Sequence, residues 1–371
     1  MSSASQRRYD LRPELQDLPR YVPGLSAADV GPTPDGEPVK LSSNENPLGP
    51  SPRAVEAISR AAWEVHRYPD STCRRLREAL ARRWGVPIDQ VVVSNGGDNL
   101  ITLLAQVMLG PGRVAVVPAV TFAAYEIAAR LSGATVERVP MRGAAVDVEA
   151  LASRLAAGAR LGFVANPNNP TGTMLTASEL DRLLEAVPQG SALVVDEAYA
   201  EFVTNPDFPD VPARLRQGAP VVVLRTFSKV YGLAGLRVGY ALAPRPIADA
   251  MWQAREAFAT NRLAEVAALA ALEDEDHLQR TREMVAAGRR QLYELAEQMG
   301  LDCVPSEANF VWIRTGVPSE RLVPALARRG VLVRPGHLWG EPAYIRVTVG
   351  TPAQNRRFAE ALRQALAELG A

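Results

Sequence analysis

Val221-Val-Val-Leu-Arg225-Thr226-Phe-Ser228-Lys229 joins an unbroken apolar run to a polar cluster that ends in a lysine. Consecutive branched apolar side chains fit a strand buried on both faces, the usual state of a strand in a parallel sheet. The same pattern recurs upstream. Val91-Val-Val-Ser94 runs into Asn95-Gly96-Gly97-Asp98, and Gly162-Phe-Val-Ala165 into Asn166-Pro-Asn-Asn169-Pro170-Thr-Gly-Thr173. Ala192-Leu-Val-Val195 runs into Asp196-Glu-Ala-Tyr199, and Val114-Ala-Val-Val-Pro118 adds another strand. Helical spacing fills the intervals at 52–66, 72–84, 98–109, 121–131 and 175–187. Strands that alternate with helices predict an α/β domain whose mostly parallel sheet is covered by helices.

From about residue 257 the texture changes. Helices are expected over 263–273, 275–299 and 352–369, with short strands near 309–313, 332–334 and 344–349. That is the pattern of a smaller C-terminal α+β domain. Residues 1–40, rich in Pro, Arg and Asp, read as an irregular arm that carries Tyr21-Val-Pro-Gly24. The expected organisation is an arm over 1–40, a large domain over 41–256 and a small domain over 257–371.

The 371 residues are 47% hydrophobic and 22% charged, as in a globular protein, so disorder and a coiled coil are excluded. The 41 basic and 41 acidic residues cancel, which leaves no broad basic surface for nucleic acid and no polybasic membrane anchor. Apolar runs are far too short to span a bilayer, and the first residues have no apolar core, so no secretion signal is expected. Two cysteines and three histidines share no ligand spacing; neither a disulfide framework nor a metal site is expected. These exclusions leave a cytoplasmic enzyme of small molecules.

Of the 41 basic residues only Lys40 and Lys229 are lysines. A lysine kept where arginine serves everywhere else points to chemistry that needs a neutral amine, since guanidinium does not deprotonate in proteins. Ligands of open parallel sheets sit at the carboxyl ends of the strands, where all four polar clusters fall. A helix opening at Gly97-Asp98 suits an anion. Thr226, Ser228 and Arg237 suit a phosphate, because hydroxyl donors and a guanidinium fork match its oxygens. Asp196, at the end of an apolar strand, needs a cationic or donor partner. An amine, a carboxylate for a ring nitrogen and a phosphate cup together are the needs of pyridoxal 5′-phosphate.

The chain also resembles the histidinol-phosphate aminotransferases, fold-type I pyridoxal-phosphate enzymes. The likeness runs through Tyr21-x-Pro-Gly, Leu41-Ser-Ser-Asn-Glu-Asn-Pro, Arg67-Tyr68-Pro-Asp, the four clusters, Asn309-Phe-Val and Ile345-Arg346-Val-Thr-Val-Gly350. It implies that Lys229 carries the cofactor as a Schiff base, that Asp196 pairs with the pyridine nitrogen, and that Asn169 and Tyr199 bond the ring oxygen. It implies a phosphate held at Gly97 and Asp98 with Thr226, Ser228 and Arg237. Tyr125 is expected to stack on the ring. Tyr68 is expected to reach the cofactor of a second subunit, which makes a homodimer with shared sites. Arg346 is expected at the substrate carboxylate, Arg334 at the substrate's phosphate or distal end, Tyr21 closing from the arm, and Asn44 near the α-substituents. The activity implied is ping-pong exchange between histidinol phosphate with 2-oxoglutarate and imidazole-acetol phosphate with glutamate.

The chain departs from the family where Gly-Ser-Asp-Glu is replaced by Gly96-Gly97-Asp98-Asn99, and where Pro335-Gly-His-Leu-Trp-Gly340 carries a bulky Trp339 that would shape the substrate pocket. An aromatic amino-acid aminotransferase shares almost every motif. A phosphoamino-acid decarboxylase shares the fold and would orient a carboxylate instead of Cα–H for cleavage. A regulator built on this fold is a third reading, disfavoured by the intact Lys229.

Overall fold

The structure is a computed structural model that describes residues 12–15, 18, 23–24, 27–31 and 36–370. Its centre is a seven-stranded sheet. In chain order the strands are β1 (Val91–Ser94), β2 (Val114–Pro118), β3 (Thr135–Val139), β4 (Leu161–Ala165), β5 (Ala192–Asp196), β6 (Val221–Thr226) and β7 (Gly239–Leu242). Across the sheet they lie in the order β1-β7-β6-β5-β4-β2-β3. Only β7 runs antiparallel to its neighbours, β1 and β6.

Alternate residues of each strand face opposite sides, and both sides are apolar. Val93, Val116, Val164, Val195 and Val223 enter one core; Val92, Val117, Phe163, Val194 and Val222 enter the other. That double burial is why these strands read as continuous apolar runs. The helix over 177–185 starts at a capping box, with Thr176 and Glu179 satisfying each other's backbone amides. The last helix, Pro352–Leu369, uses Thr351 and Gln354 in the same way and places proline in its first turn.

The C-terminal sheet has four antiparallel strands, ordered Asp302–Val304, Phe310–Arg314, Tyr344–Thr348 and Arg334–Pro335. Val311, Ile313, Ile345 and Val347 pack there against Leu322, Phe358 and Leu362. Two features tie this sheet to the rest. Val39–Lys40 pairs in parallel with Val331–Leu332, so the chain leaving the arm is a strand of the small unit. The helix Arg262–Leu272 sends Ala264, Ala267, Ala268 and Ala271 into the core of the large sheet, although it lies beyond residue 257. No helix among the described residues is long and apolar enough to cross a membrane.

Several elements carry weak sequence signals and are absent from the reading above. β7 is four residues long and begins with glycine, and β3 is an edge strand whose Thr-Val-Glu-Arg-Val sequence is mostly polar. Helices at 148–156, 211–216, 245–254 and 319–328 complete the layers. The helix expected from Thr121 begins only at Ala124, and Thr121 and Phe122 remain in the preceding turn.

Candidate active site

A cavity of about 470 Å³ opens at the carboxyl ends of the large-sheet strands. Its walls come from β4, β5 and β6, from the loop at 42–45, and from Arg334, Trp339 and Arg346 of the C-terminal sheet region.

Lys229 lies just past the end of β6. Its Nζ donates to the Ser43 carbonyl at 3.2 Å and stands 5.7 Å from the Tyr199 ring centroid. Burial, with the Arg346 guanidinium adding to it, pushes the amine down to about 8. The next peptide is pinned, because Asn46 Nδ2 donates to the Val230 carbonyl at 2.9 Å.

Asp196 ends β5. Its Oδ1 accepts the Ala198 amide at 3.1 Å and its Oδ2 accepts the Tyr125 hydroxyl at 2.8 Å. Burial pushes this carboxyl up to about 6, against the Tyr125 and Ala198 donors that hold it down. Tyr125, expected to stack on a cofactor ring, lines the cavity with its hydroxyl turned to Asp196. Its ring is fully buried, stacked on Phe163 at 5.1 Å, and its hydroxyl is committed to Asp196. Phe122, three residues earlier and edge-on to Tyr125, lines the cavity as well.

The anion end is built on the start of the helix Gly97–Met108. Arg237, in the left-handed region at φ 55°, donates to Asp98 Oδ2 at 3.2 Å and lies over Gly96. A Cβ on Gly96 would come 2.7 Å from that guanidinium, and its φ of 86° is one that only glycine adopts readily. Gly97 has open space where its Cβ would be. Thr226 Oγ1 accepts the Ser228 amide at 3.0 Å, which fixes the turn between them. Asn99 does not line the cavity; its Oδ1 accepts the Ser94 hydroxyl at the foot of the helix.

At the opposite end Arg346 donates to Asn169 Oδ1 and, at 2.7 Å, to the Ser42 carbonyl. Arg334 is its register partner on the neighbouring strand, and both are buried. Asn44, also left-handed at φ 54°, is a junction. Its amide Nδ2 donates to the Tyr199 hydroxyl at 3.0 Å. Its backbone amide donates to Thr348 Oγ1 at 2.9 Å, and its own carbonyl accepts Asn309 Nδ2 at 3.0 Å. Asn44 therefore links Tyr199, just past β5, to the strand Tyr344–Thr348 and to Asn309 just before the strand Phe310–Arg314.

A buried ion cluster that no sequence motif marks adjoins the cavity, which Arg225 itself lines. Arg225 donates to Glu197 Oε2 at 2.9 and 2.6 Å and to Glu201 Oε1 at 3.0 Å, with its guanidinium 4.3 Å from the Trp84 ring centroid. Its one sequence signal is position: Glu197 directly follows β5, and Arg225 follows the apolar run Val221–Leu224 within the neighbouring β6.

The structure thus brings Lys229, Asp196, Tyr199, Asn169, Gly97, Asp98, Tyr125, Thr226, Ser228, Arg237, Asn44, Arg334 and Arg346 to one cavity. Tyr68 is not among its walls; it is 81% exposed and stacks on Phe258 at 4.5 Å. Tyr21 lies outside the described residues.

Comparison with known proteins agrees with this geometry. Residues 37–362 match the family described as Aminotransferase class I and II. A histidinol-phosphate aminotransferase of Symbiobacterium thermophilum is 47% identical over 96% of this chain and 99% of its own length. One from Moorella thermoacetica is 43% identical over 96% and 93%. Among solved structures, histidinol-phosphate aminotransferase from Sinorhizobium meliloti in complex with pyridoxal-5′-phosphate superposes with a TM-score of 0.89 at 27% identity, covering 98% and 99% of the two chains. L-threonine-O-3-phosphate decarboxylase from Porphyromonas gingivalis superposes at 0.78 with 26% identity, over 89% and 99%. The chain belongs to the aminotransferase class I and II family, and within it to the histidinol-phosphate aminotransferases that its sequence resembles.

Proposed function

We propose that this chain is a pyridoxal 5′-phosphate-dependent transaminase that moves an amino group between histidinol phosphate and 2-oxoglutarate. The observation that carries the reading is Lys229, its amine depressed by burial, sharing one cavity with the half-buried carboxylate of Asp196 and two buried arginines. The names of the relatives at 47% and 43% identity support the choice of substrate.

The donor set fits the cofactor. Lys229 offers the amine for its aldehyde, and Asp196, held ionised by two donors, offers a counter-charge to a protonated ring nitrogen. Tyr199 and Asn169 are placed for the ring oxygen. The helix start at Gly97-Asp98, with Thr226, Ser228 and Arg237, would hold the phosphate. When bound, the cofactor supplies an electron sink for the pair left behind as a proton leaves the substrate α-carbon.

This chain's residues do the rest. Lys229 holds and moves that proton, and its lowered basicity makes the neutral amine available near neutral pH. Asn44 braces the Tyr199 hydroxyl from the small sheet. Arg346, aimed by Asn169 and Ser42, takes a substrate carboxylate, and Arg334 takes the phosphate or distal carboxylate. The two half-reactions share these arginines. Glutamate enters and 2-oxoglutarate leaves; imidazole-acetol phosphate then enters and histidinol phosphate leaves.

In this reading the enzyme is a cytoplasmic homodimer. Trp63, Val65 and Tyr68 are 87%, 62% and 81% exposed, an apolar strip suited to a second copy, and Tyr68 is the residue that would enter the partner's site.

The test is spectrophotometric. Cofactor-loaded protein is given glutamate, histidinol phosphate or phenylalanine, one at a time, and the visible band is followed. Fast conversion by glutamate and histidinol phosphate with slow conversion by phenylalanine supports the reading. Preference for phenylalanine makes this an aromatic aminotransferase. Release of carbon dioxide from a phosphoamino acid brings it to the decarboxylase neighbour instead.

A further inference from the structure

Arg334 and Arg346 face each other as register partners on antiparallel strands. Like charges directly opposite repel, and burial strengthens the repulsion by removing water. One indole stands against both. The guanidinium carbons of Arg346 and Arg334 lie 5.4 and 6.0 Å from the Trp339 ring centroid. The negative π face of indole is the best aromatic partner for a cation.

Trp339 is itself held from two sides. Its Nε1 donates to the Thr121 carbonyl at 2.9 Å, next to Phe122 on the far wall. Its ring meets Trp312 edge-on at 5.7 Å, and Trp312 stacks on Tyr344 at 5.2 Å. Asn169 Oδ1 and the Ser42 carbonyl, both neutral, are among the acceptors that orient Arg346.

We infer that Trp339 is a specificity-determining positioning residue. By holding two guanidiniums side by side, it makes the cavity select substrates with two negative charges over those with one. The inference rests on the transaminase reading. Glutamate with two carboxylates and an amine bearing a phosphomonoester both meet the requirement; phenylalanine, with one carboxylate and a ring, does not. A leucine or alanine in place of Trp339 would leave the arginines in the chain but free the pair to move apart.

The test compares two inhibitors of defined charge on the cofactor-loaded enzyme by calorimetry. Glutarate carries two carboxylates and 3-phenylpropanoate one. Trp339→Leu is expected to weaken glutarate roughly tenfold and to leave 3-phenylpropanoate within about twofold, the loss of a partly desolvated cation–π contact. In turnover the loss falls on KM for the doubly charged substrate, with kcat within about twofold. Trp339→Phe keeps a π face but not the bond to Thr121, and is expected to retain most of the glutarate preference.

An unchanged inhibitor ratio in Trp339→Leu overturns the inference. So does a loss in Trp339→Phe as large as in Trp339→Leu, since the effect would then run through Thr121. If Trp339→Leu does not fold, Trp339→Phe decides alone: retained preference supports the role of the ring and lost preference overturns it. A protein that shows no visible cofactor band would defeat the transaminase reading, while the glutarate comparison still reads the arginine pair.

Discussion

The Tyr125 hydroxyl donates to Asp196 Oδ2 at 2.8 Å, inside a site where burial would otherwise favour the protonated acid. Tyr125→Phe removes a donor that holds the Asp196 carboxyl down, so its pKa rises above about 6 and the ionised fraction at neutral pH falls. A hydrogen bond to a charged group contributes about 1.5–3 kcal/mol, so pyridoxal phosphate should bind at least tenfold more weakly. The deficit should deepen as pH falls below about 7. Fluorescence titration of the cofactor across that range checks it; an affinity and pH profile equal to the unmodified protein would refute it.

Lys229, at about 8, has about a tenth of its amine neutral at pH 7 and about nine-tenths at pH 9. The cofactor-free protein should therefore capture an aldehyde about tenfold faster at pH 9 than at pH 7, with a plateau above. An ordinary lysine would gain about a hundredfold over that interval with no plateau. Stopped-flow absorbance distinguishes the two. The folded state also binds this proton less readily than the unfolded chain, so the stability cost of burying Lys229 recedes as pH rises from about 8 toward 10.5. Lys229→Arg should fold, melt normally and show no turnover.

Gly97→Ser should strengthen phosphate binding. The new Cβ meets nothing within 4 Å, and its hydroxyl would join the amides at the helix start. Replacing a helical glycine should also add a few tenths of a kcal/mol to stability, or about 1 kcal/mol at most. Cofactor affinity improved about threefold, with an unchanged or slightly higher Tm, is the expected result. A weaker affinity would remove the helix start from the proposed cup.

Arg225→Met should destabilise the fold by about 3–5 kcal/mol, read from the denaturant midpoint, because it leaves buried Glu197 and Glu201 without their cation. Burial already pushes the Glu197 carboxyl up to about 7 against Arg225. Without the guanidinium it rises further. A raised carboxyl contributes stability below its unfolded pKa of 4.5 and loses it as pH climbs through the folded value. The variant's deficit should therefore be larger at pH 8 than at pH 5. Equal deficits would show that lost packing against Trp84 dominates.

The large sheet was legible because double burial writes strands as unbroken apolar runs, and because function concentrates where those runs end. Lys229, Asp196 and Asn169 could be found by that rule alone. What escaped the sequence depends on side-chain direction in the folded chain. Thr121-Phe-Ala-Ala-Tyr125 offers two aromatics to one cavity, and only the fold shows that both line it and that the Tyr125 hydroxyl is bound to Asp196. Asn44 was expected beside the substrate, yet its contacts with Thr348 and Asn309 lie 304 and 265 residues away. No local pattern encodes partners at that separation. Short edge strands and β7 were missed for a simpler reason: half-exposed or glycine-containing segments lose the apolar signature that marked the rest.

The bond from Arg346 to the Ser42 carbonyl spans 304 positions, and the Arg346 guanidinium adds to the burial that lowers the Lys229 amine. During synthesis β7 is complete once residue 242 has emerged, but the strand that carries Arg346 ends at Thr348. Arg346 therefore stands beside Lys229 only once that last strand has docked. One contribution to the lowered amine thus comes from the far end of the sequence, through the C-terminal sheet. A copy that ends before Tyr344 carries Lys229 without this guanidinium at its side.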